Sequence, residues 1–252
     1  MPARILVCVC VLTAFAAAQV KKNNFNVPAS VKRVGSVPVE MKADPCFHSE
    51  LENSSAKIFQ ISVAPRQATD MDIHRHDYIV LALHEANFQI GEGSGSLPMQ
   101  MGQGEMRVLQ GGWPQRLVNT GDTPLQLVEV EVEHGIDPDH ARCGLAAAEC
   151  TDGEFGNAEG AFSASTLFET KTVKLRRVDL EVGGTLPKHN HVRSHVLVAL
   201  ADMKLADQQE GKDAKELELK AGDAVWYDGP VEHSLTNEGQ QPAPIITMEF
   251  KD

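Results

Sequence analysis

From Ala56 onward, polar and apolar residues alternate with the two-residue period of an extended strand. In AKIFQISVAP, Ile58, Gln60 and Ser62 share one side, Phe59, Ile61 and Val63 the other, and Pro65 ends the run. IHRHDYIVLALHEANFQI follows, then the glycine-rich connection GEGSGSLPMQMGQGE, then MRVLQGGWPQRLVN and LQLVEVEVE. No stretch shows the 3.6-residue period of an amphipathic helix, and turn residues recur at short intervals. This is the pattern of an all-β sandwich or barrel. Residues 134–165, rich in Gly, Ala, Asp and Glu, lose the alternation and read as a connection with one short helix near Leu145–Glu149. After Leu167 the strand pattern resumes and runs to the C-terminus.

The second β region repeats the first. His74 matches His189 and His76 matches His191, each pair 115 positions apart, while Gly104 matches Gly222 and Asn119 matches Asn237 at 118. A three-residue insertion in ADQQEGKDAKELE would account for the change. The division is then residues 56–133, a connection at 134–165, and residues 166–252, preceded by an arm at 19–55 that is partly extended and docks on a sheet edge.

The chemistry concentrates in KHNHVRSHVLVAL, from Lys188 to Leu200. Read as one strand, it projects His189, His191, Arg193 and His195 to the same side. His233, in GDAVWYDGPVEHSLTN, supplies a fourth imidazole. Buried imidazoles are costly unless their nitrogens are used, and such a group suits a divalent transition metal: iron, manganese, copper, nickel or zinc. Arg193 is the candidate to hold a substrate anion, and Glu249, out of phase with Ile246, Met248 and Phe250, the candidate proton-transfer group. Trp226 and Tyr227 are candidates for the pocket wall.

These residues carry a resemblance to the cupins, and in two copies to a bicupin. The family's first motif is G-x5-H-x-H-x3,4-E-x6-G; Gly183, His189 and His191 fit it, with His195 in place of the glutamate and Asp202 in place of the last glycine. Its second motif, G-x5-P-x-G-x2-H-x3-N, keeps Gly222, His233 and Asn237, with Asp228 and Pro230 replacing the proline and inner glycine. The first copy retains His74 and His76 but has Val80 and Gln115 at the other ligand positions, which marks it as degenerate. The resemblance implies two tandem jelly-roll barrels, one metal in the mouth of the second, and a homodimer, unless the two halves cover each other's sheet edges.

The resemblance and the four neutral imidazoles together imply a metal-dependent oxidoreductase of dioxygenase type acting on a small oxygenated or phenolic compound. An all-imidazole site keeps the ion's positive charge and so favours an anionic small molecule. The alternatives are non-redox isomerase, lyase or decarboxylase chemistry on a sugar acid or other carboxylate, and a non-enzymatic binding or storage protein.

The first eighteen residues, MPARILVCVCVLTAFAAA, have the form of a cleaved signal peptide: early Arg4, an apolar run, and small residues at Ala16–Ala18. Its loss takes the formal charge from -12 to about -13 and predicts a secreted or periplasmic protein. An acidic chain without a basic cluster excludes nucleic acid and anionic membrane surfaces as partners. Export also predicts one disulfide, with Cys143 and Cys150 the first choice of pair; of the three cysteines left, one stays free or the pairing involves Cys46.

Overall fold

A computed structural model of the chain describes residues 40–91, 95–145, 148–150 and 161–251; the leader and most of the arm lie outside them. The first half contains β1 (Phe47–Glu52), β2 (Ala56–Val63), β3 (Asp72–Ile73), β4 (Tyr78–Ala82), β5 (Ala86–Ile90), β6 (Leu97–Met101), β7 (Met106–Leu109), β8 (Pro114–Gln115), β9 (Leu117–Asn119) and β10 (Leu125–Val132). The second contains β11 (Phe162–Glu169), β12 (Val173–Leu180), β13 (Thr185–His191), β14 (His195–Ala199), β15 (Met203–Gln209), β16 (Lys215–Leu219), β17 (Ala224–Tyr227), β18 (Val231–Asn237) and β19 (Ala243–Phe250). Two five-stranded sheets correspond strand for strand, β1-β2-β10-β4-β7 and β11-β12-β19-β14-β17. Each closes on smaller sheets, β3-β8 and β6-β5-β9 in the first half and β13-β18-β15-β16 in the second, giving two jelly-roll barrels in tandem.

The inner strands β4 and β14 are buried on both faces, which explains why YIVLA and HVLVA read as continuous apolar runs. In β4, Tyr78, Val80 and Ala82 face the first barrel's interior, while Ile79 and Leu81 face a core shared with the second half. In β14, Leu197 and Ala199 point into the second barrel and Val196, Val198 and Leu200 join the shared core. The two halves meet around a repeated close approach. A Cβ on Gly104 (φ +73°) would lie 2.5 Å from Arg177 Nη1 and 3.3 Å from Leu200 Cδ1. One on Gly222 (φ +95°) would lie 2.9 Å from Gln60 Cδ and 3.1 Å from Leu83 Cδ1. The same positions thus meet across the interface from opposite sides, and glycine is required at both.

The paired strands correct the sequence alignment of the halves. Lys57 and Lys174, Tyr78 and His195, and Leu83 and Leu200 are equivalent, each 117 positions apart. Even the β-bulges agree, at Ser49/Leu51 in β1 and Thr166/Phe168 in β11. Asp72 faces Gln115 as His189 faces His233, so Asp72 corresponds to His189 and His74 to His191. Matching the two H-x-H triplets by letter slips the register by two residues. The insertion that follows is one residue, in the β15–β16 hairpin, rather than three. Asn119 and Asn237 remain equivalent: each Nδ2 donates to three backbone carbonyls and each Oδ1 accepts the N–H two residues on.

The repeating unit also starts earlier than the alternation suggested, since β1 and β11 form the outer strand of each sheet. In the connection, Cys143 and Cys150 form a disulfide and Cys46 is free. The expected helix at 145–149 is not present in its described residues: Leu145 has φ 50° and inserts, 2% exposed, into the shared core.

Candidate metal centre

The histidines do not share one strand. β13 ends at His191, residues 192–194 turn a corner, and His195 opens β14 in the other sheet. Side-chain alternation stops at that corner. Arg193 lies in the bend and is exposed, so the parity that turned it inward does not hold. His76, its counterpart in the first barrel, is exposed in the same way.

Inside the second barrel, the ligand-type nitrogens of His189, His191 and His233 lie within 4.8 Å of one another. His189 faces His233 across the β13–β18 pair, with ring centroids 4.7 Å apart, and His191 lies 4.8 Å from His189. Each Nδ1 is placed to donate a hydrogen bond: His189 to Pro187 O at 2.8 Å, His191 to Glu249 Oε2 at 3.2 Å, and His233 to Asp207 Oδ1 at 2.9 Å. Those bonds fix the tautomer and leave Nε2 as a lone-pair donor, the arrangement of metal-binding imidazoles. The Nε2 atoms of His191 and His233 are buried and have no hydrogen-bond partner. Buried polar atoms seldom stay unpaired, so the donor set fits a transition metal ion.

His195 stands apart from this cluster. Its ring stacks on that of His191, centroids 3.7 Å apart and planes 20° apart, and on Tyr227 at 4.6 Å and 2°. Three of the four expected imidazoles thus converge, while His195 stacks on one of them, its Nδ1 buried and, like the Nε2 atoms of His191 and His233, without a hydrogen-bond partner. Burial, reinforced by the three histidines around it, holds the pKa of His195 down to about 2, so the ring is neutral.

The carboxylates behind the ligands stay charged for identifiable reasons. The hydrogen bond from His191 is the largest influence on Glu249 and lowers its pKa despite partial burial. Burial works to raise Asp207, but hydrogen bonds from His233 and Gln209 outweigh it, and the net shift is downward. Glu249, the candidate proton-transfer group, accepts the His191 Nδ1–H, while Ile246, Met248 and Phe250 lie in the shared core. Tyr227 walls the site, its phenol pKa raised by burial and by neighbouring Asp207. Trp226 does not: it packs against Phe250 in the shared core and donates Nε1–H to Asp228. Asp207 escaped the sequence reading, although a lone acid in phase with Met203 and Leu205 on β15 was the available signal.

Clefts on the described surface lie beside the barrels rather than over the imidazoles, the most voluminous of them, about 630 Å³, being lined by His84, Gln100, Gln103 and Arg107 among others. One of about 390 Å³ is lined by Met41, Lys57, Phe59, Ile73, Arg75 and Glu131 among others; one of about 330 Å³ touches Asn190, Pro230 and Glu232 on the outer side of β13 and β18.

No protein-family model matches the chain, and no characterised protein matches it by sequence. Solved structures do match. A cupin 2 conserved barrel domain protein from Leptotrichia buccalis superposes with TM-score 0.53 at 12% identity, over 86% of this chain and 92% of that one. Salicylate 1,2-dioxygenase from Pseudoaminobacter salicylatoxidans, in complex with gentisate, gives 0.53 at 12%, over 78% and 69%. A mutant of Bacillus subtilis oxalate decarboxylase gives 0.56 at 15%, over 86% and 78%. At such identities the likeness establishes the cupin fold and leaves activity to the residues of the site.

Proposed function

We propose that the second barrel binds one divalent transition metal ion on His189, His191 and His233, and that the protein is an exported, metal-dependent oxidoreductase of dioxygenase type acting on a small oxygenated or phenolic compound. The observation that carries this reading is the pair of buried, unpartnered Nε2 atoms whose opposite nitrogens are pinned. Three neutral imidazoles leave a bound ion its full charge and open positions, where it supplies Lewis acidity and electron transfer to an oxygen ligand and a substrate. The chain's own residues prepare that site. Pro187 O, Glu249 and Asp207 hold the three rings in one tautomer. Neutral His195, stacked with the His191 and Tyr227 rings, bounds the site on one side with aromatic surface. Arg193, at the corner between β13 and β14, is placed to meet an anionic group arriving from solvent. The Cys143–Cys150 disulfide supports an oxidising compartment and hence export.

The test is metal analysis of residues 19–252 alongside His233→Ala, with oxygen uptake followed over a panel of dihydroxybenzoates, catechols and small dicarboxylates. Iron, manganese, copper or nickel in the wild type, its loss in the variant and oxygen consumption on a phenolic substrate support the reading. Zinc alone without oxygen uptake sinks it. Turnover of a carboxylate at equal rate with and without oxygen would move the protein to non-redox chemistry, and ligand binding without turnover to a storage role.

A further inference from the structure

The first barrel carries a buried polar cluster at the positions of the metal-site residues. Asp72, His74, Tyr78 and Gln115 occupy the places of His189, His191, His195 and His233, and all four are 3% exposed or less. Tyr78 stacks on His74 at 3.7 Å, as His195 stacks on His191. Instead of a free Nε2, His74 has Glu129 Oε1 at 2.7 Å from that atom. Glu129 takes the place of Thr247 in the second barrel. The other ring nitrogen, Nδ1, lies 2.9 Å from the side-chain amide of Gln115 and 3.6 Å from Asp72 Oδ1.

In the drawn orientation Gln115 turns its NH₂ to His74, and two buried acceptors, Gln115 Oε1 and Asp72 Oδ1, have no donor. The oxygen and nitrogen of an amide are assigned from the network around them. Turning this amide over places Oε1 against Nδ1 and the NH₂ where the orphan oxygen stood, on a residue that faces Asp72 across the β3–β8 pair. Oε1 then accepts from Nδ1, which must carry a proton as well as Nε2 and which has Asp72 Oδ1 at 3.6 Å.

We propose that His74 is a resident imidazolium inside the first barrel, donating Nε2–H to Glu129 and Nδ1–H to Gln115, at the position that His191 takes in the second. The electrostatics agree. Burial opposes charging of His74, but the Glu129 charge and hydrogen bond, with Asp72 and Glu131 behind them, raise its pKa to about 9. Burial raises Asp72 to about 7, against the pull of His74. The other charges around the cluster are occupied: Glu131 accepts the Arg75 backbone N–H, Lys57 pairs with Glu133 at 2.5 Å, Asp44 accepts the N–H groups of Cys46 and Asp70, and Asp77 accepts that of Gly111. The inference concerns the first barrel alone and does not depend on what the second binds.

The experiment is side-chain ¹⁵N NMR on residues 19–252, stripped of metal with chelator, with His74 assigned by a His74→Asn sample. The expected spectrum has both His74 ring nitrogens protonated at pH 7.5; a singly protonated ring overturns the proposal. Glu129→Gln, which keeps the shape and removes the charge, is expected to lower the His74 pKa by more than one unit; an unchanged value also overturns it. In His233→Ala, added zinc is expected to leave the His74 resonances unmoved, whereas a stoichiometric shift of them would show a metal seat and refute it. All three readouts come from His74, so they hold or fail separately from metal binding and turnover in the second barrel.

Discussion

Asp207 is the most exposing test of the metal site, because it touches no ligand-binding atom. Its carboxylate accepts the His233 Nδ1–H at 2.9 Å and a bond from Gln209 Nε2 at 3.1 Å, and both Asp207 and His233 are 1% exposed. Asp207→Asn keeps the volume and one acceptor but loses the charge. Hydrogen bonds to a charged partner are worth about 1.5–3 kcal/mol against about 0.5–1.5 kcal/mol for neutral ones. The substitution should therefore weaken the hold on His233 by about 1–1.5 kcal/mol, or roughly tenfold in metal affinity. Asp207→Ala removes the acceptor altogether. His233 can then move its proton to Nε2, the atom that must bind the ion, and the loss should approach the roughly 100-fold upper range for an outer partner. The assay is competition for metal against a chelator of known affinity, with circular dichroism to confirm the fold. Affinities for both variants within twofold of wild type, while His233→Ala abolishes binding, would refute the role given to Asp207 and the tautomer argument with it.

Four further outcomes are expected. His195→Ala should retain metal within a few-fold, since its ring stacks on His191 rather than joining the cluster, whereas His191→Ala should lose it; chelator competition reads both. A group whose pKa is raised on folding stabilises fully below its unfolded value and less as pH climbs through its folded value. His74, raised from 6.5 to about 9, should thus lose a stabilisation on the order of 3 kcal/mol as pH climbs from about 6.5 to 9, read as a falling melting temperature, and Glu129→Gln should lack that step. Cys143→Ser with Cys150→Ser opens a loop of sequence separation 7 and should cost about 2.5 kcal/mol on the chain-entropy account, seen as a lower melting temperature that reductant does not lower further. Gly222→Ala should destabilise by about 1–3 kcal/mol in thermal melting, because φ is +95° and the new Cβ meets Gln60 at 2.9 Å.

The barrels were legible because a jelly roll writes itself in alternation and turn residues, and because Asn119 and Asn237 close equivalent turns with the same three carbonyl acceptors. His189, His191 and His233 were legible for a related reason: imidazoles in phase with apolar neighbours have few uses inside a barrel. What failed was anything that depended on where a strand ends. Val192, Arg193 and Ser194 contain no glycine or proline, so the corner that separates His191 from His195 left no mark in the composition. Arg193 was misplaced by that omission, and His195 comes to the site from the other sheet rather than from the strand of His191. Asp207 was missed because one acid on a strand is ordinarily solvent-facing, and only the tertiary fold brings it to 2.9 Å from His233.

The slip in the repeat has a more general cause. H-x-H at 74–76 and at 189–191 are the same letters in different phases of the same scaffold, His76 lying at the exposed bend and His189 inside. Strand register, fixed by buried neighbours such as Val80 and Leu197, holds the two halves in step at 117 positions while the side chains at each station diverge. The conserved geometry then gives one carboxylate position two uses: Glu131 accepts a backbone N–H from Arg75, and its counterpart Glu249 accepts the ring N–H of His191. A change at that station is constrained by whichever donor sits opposite. Glu249→Gln should therefore weaken the metal site, and Glu131→Gln should loosen the β3–β4 corner and lower the His74 pKa. A duplicated barrel can lose or gain a site in this way through a few inward positions, without any change in the strands that carry them.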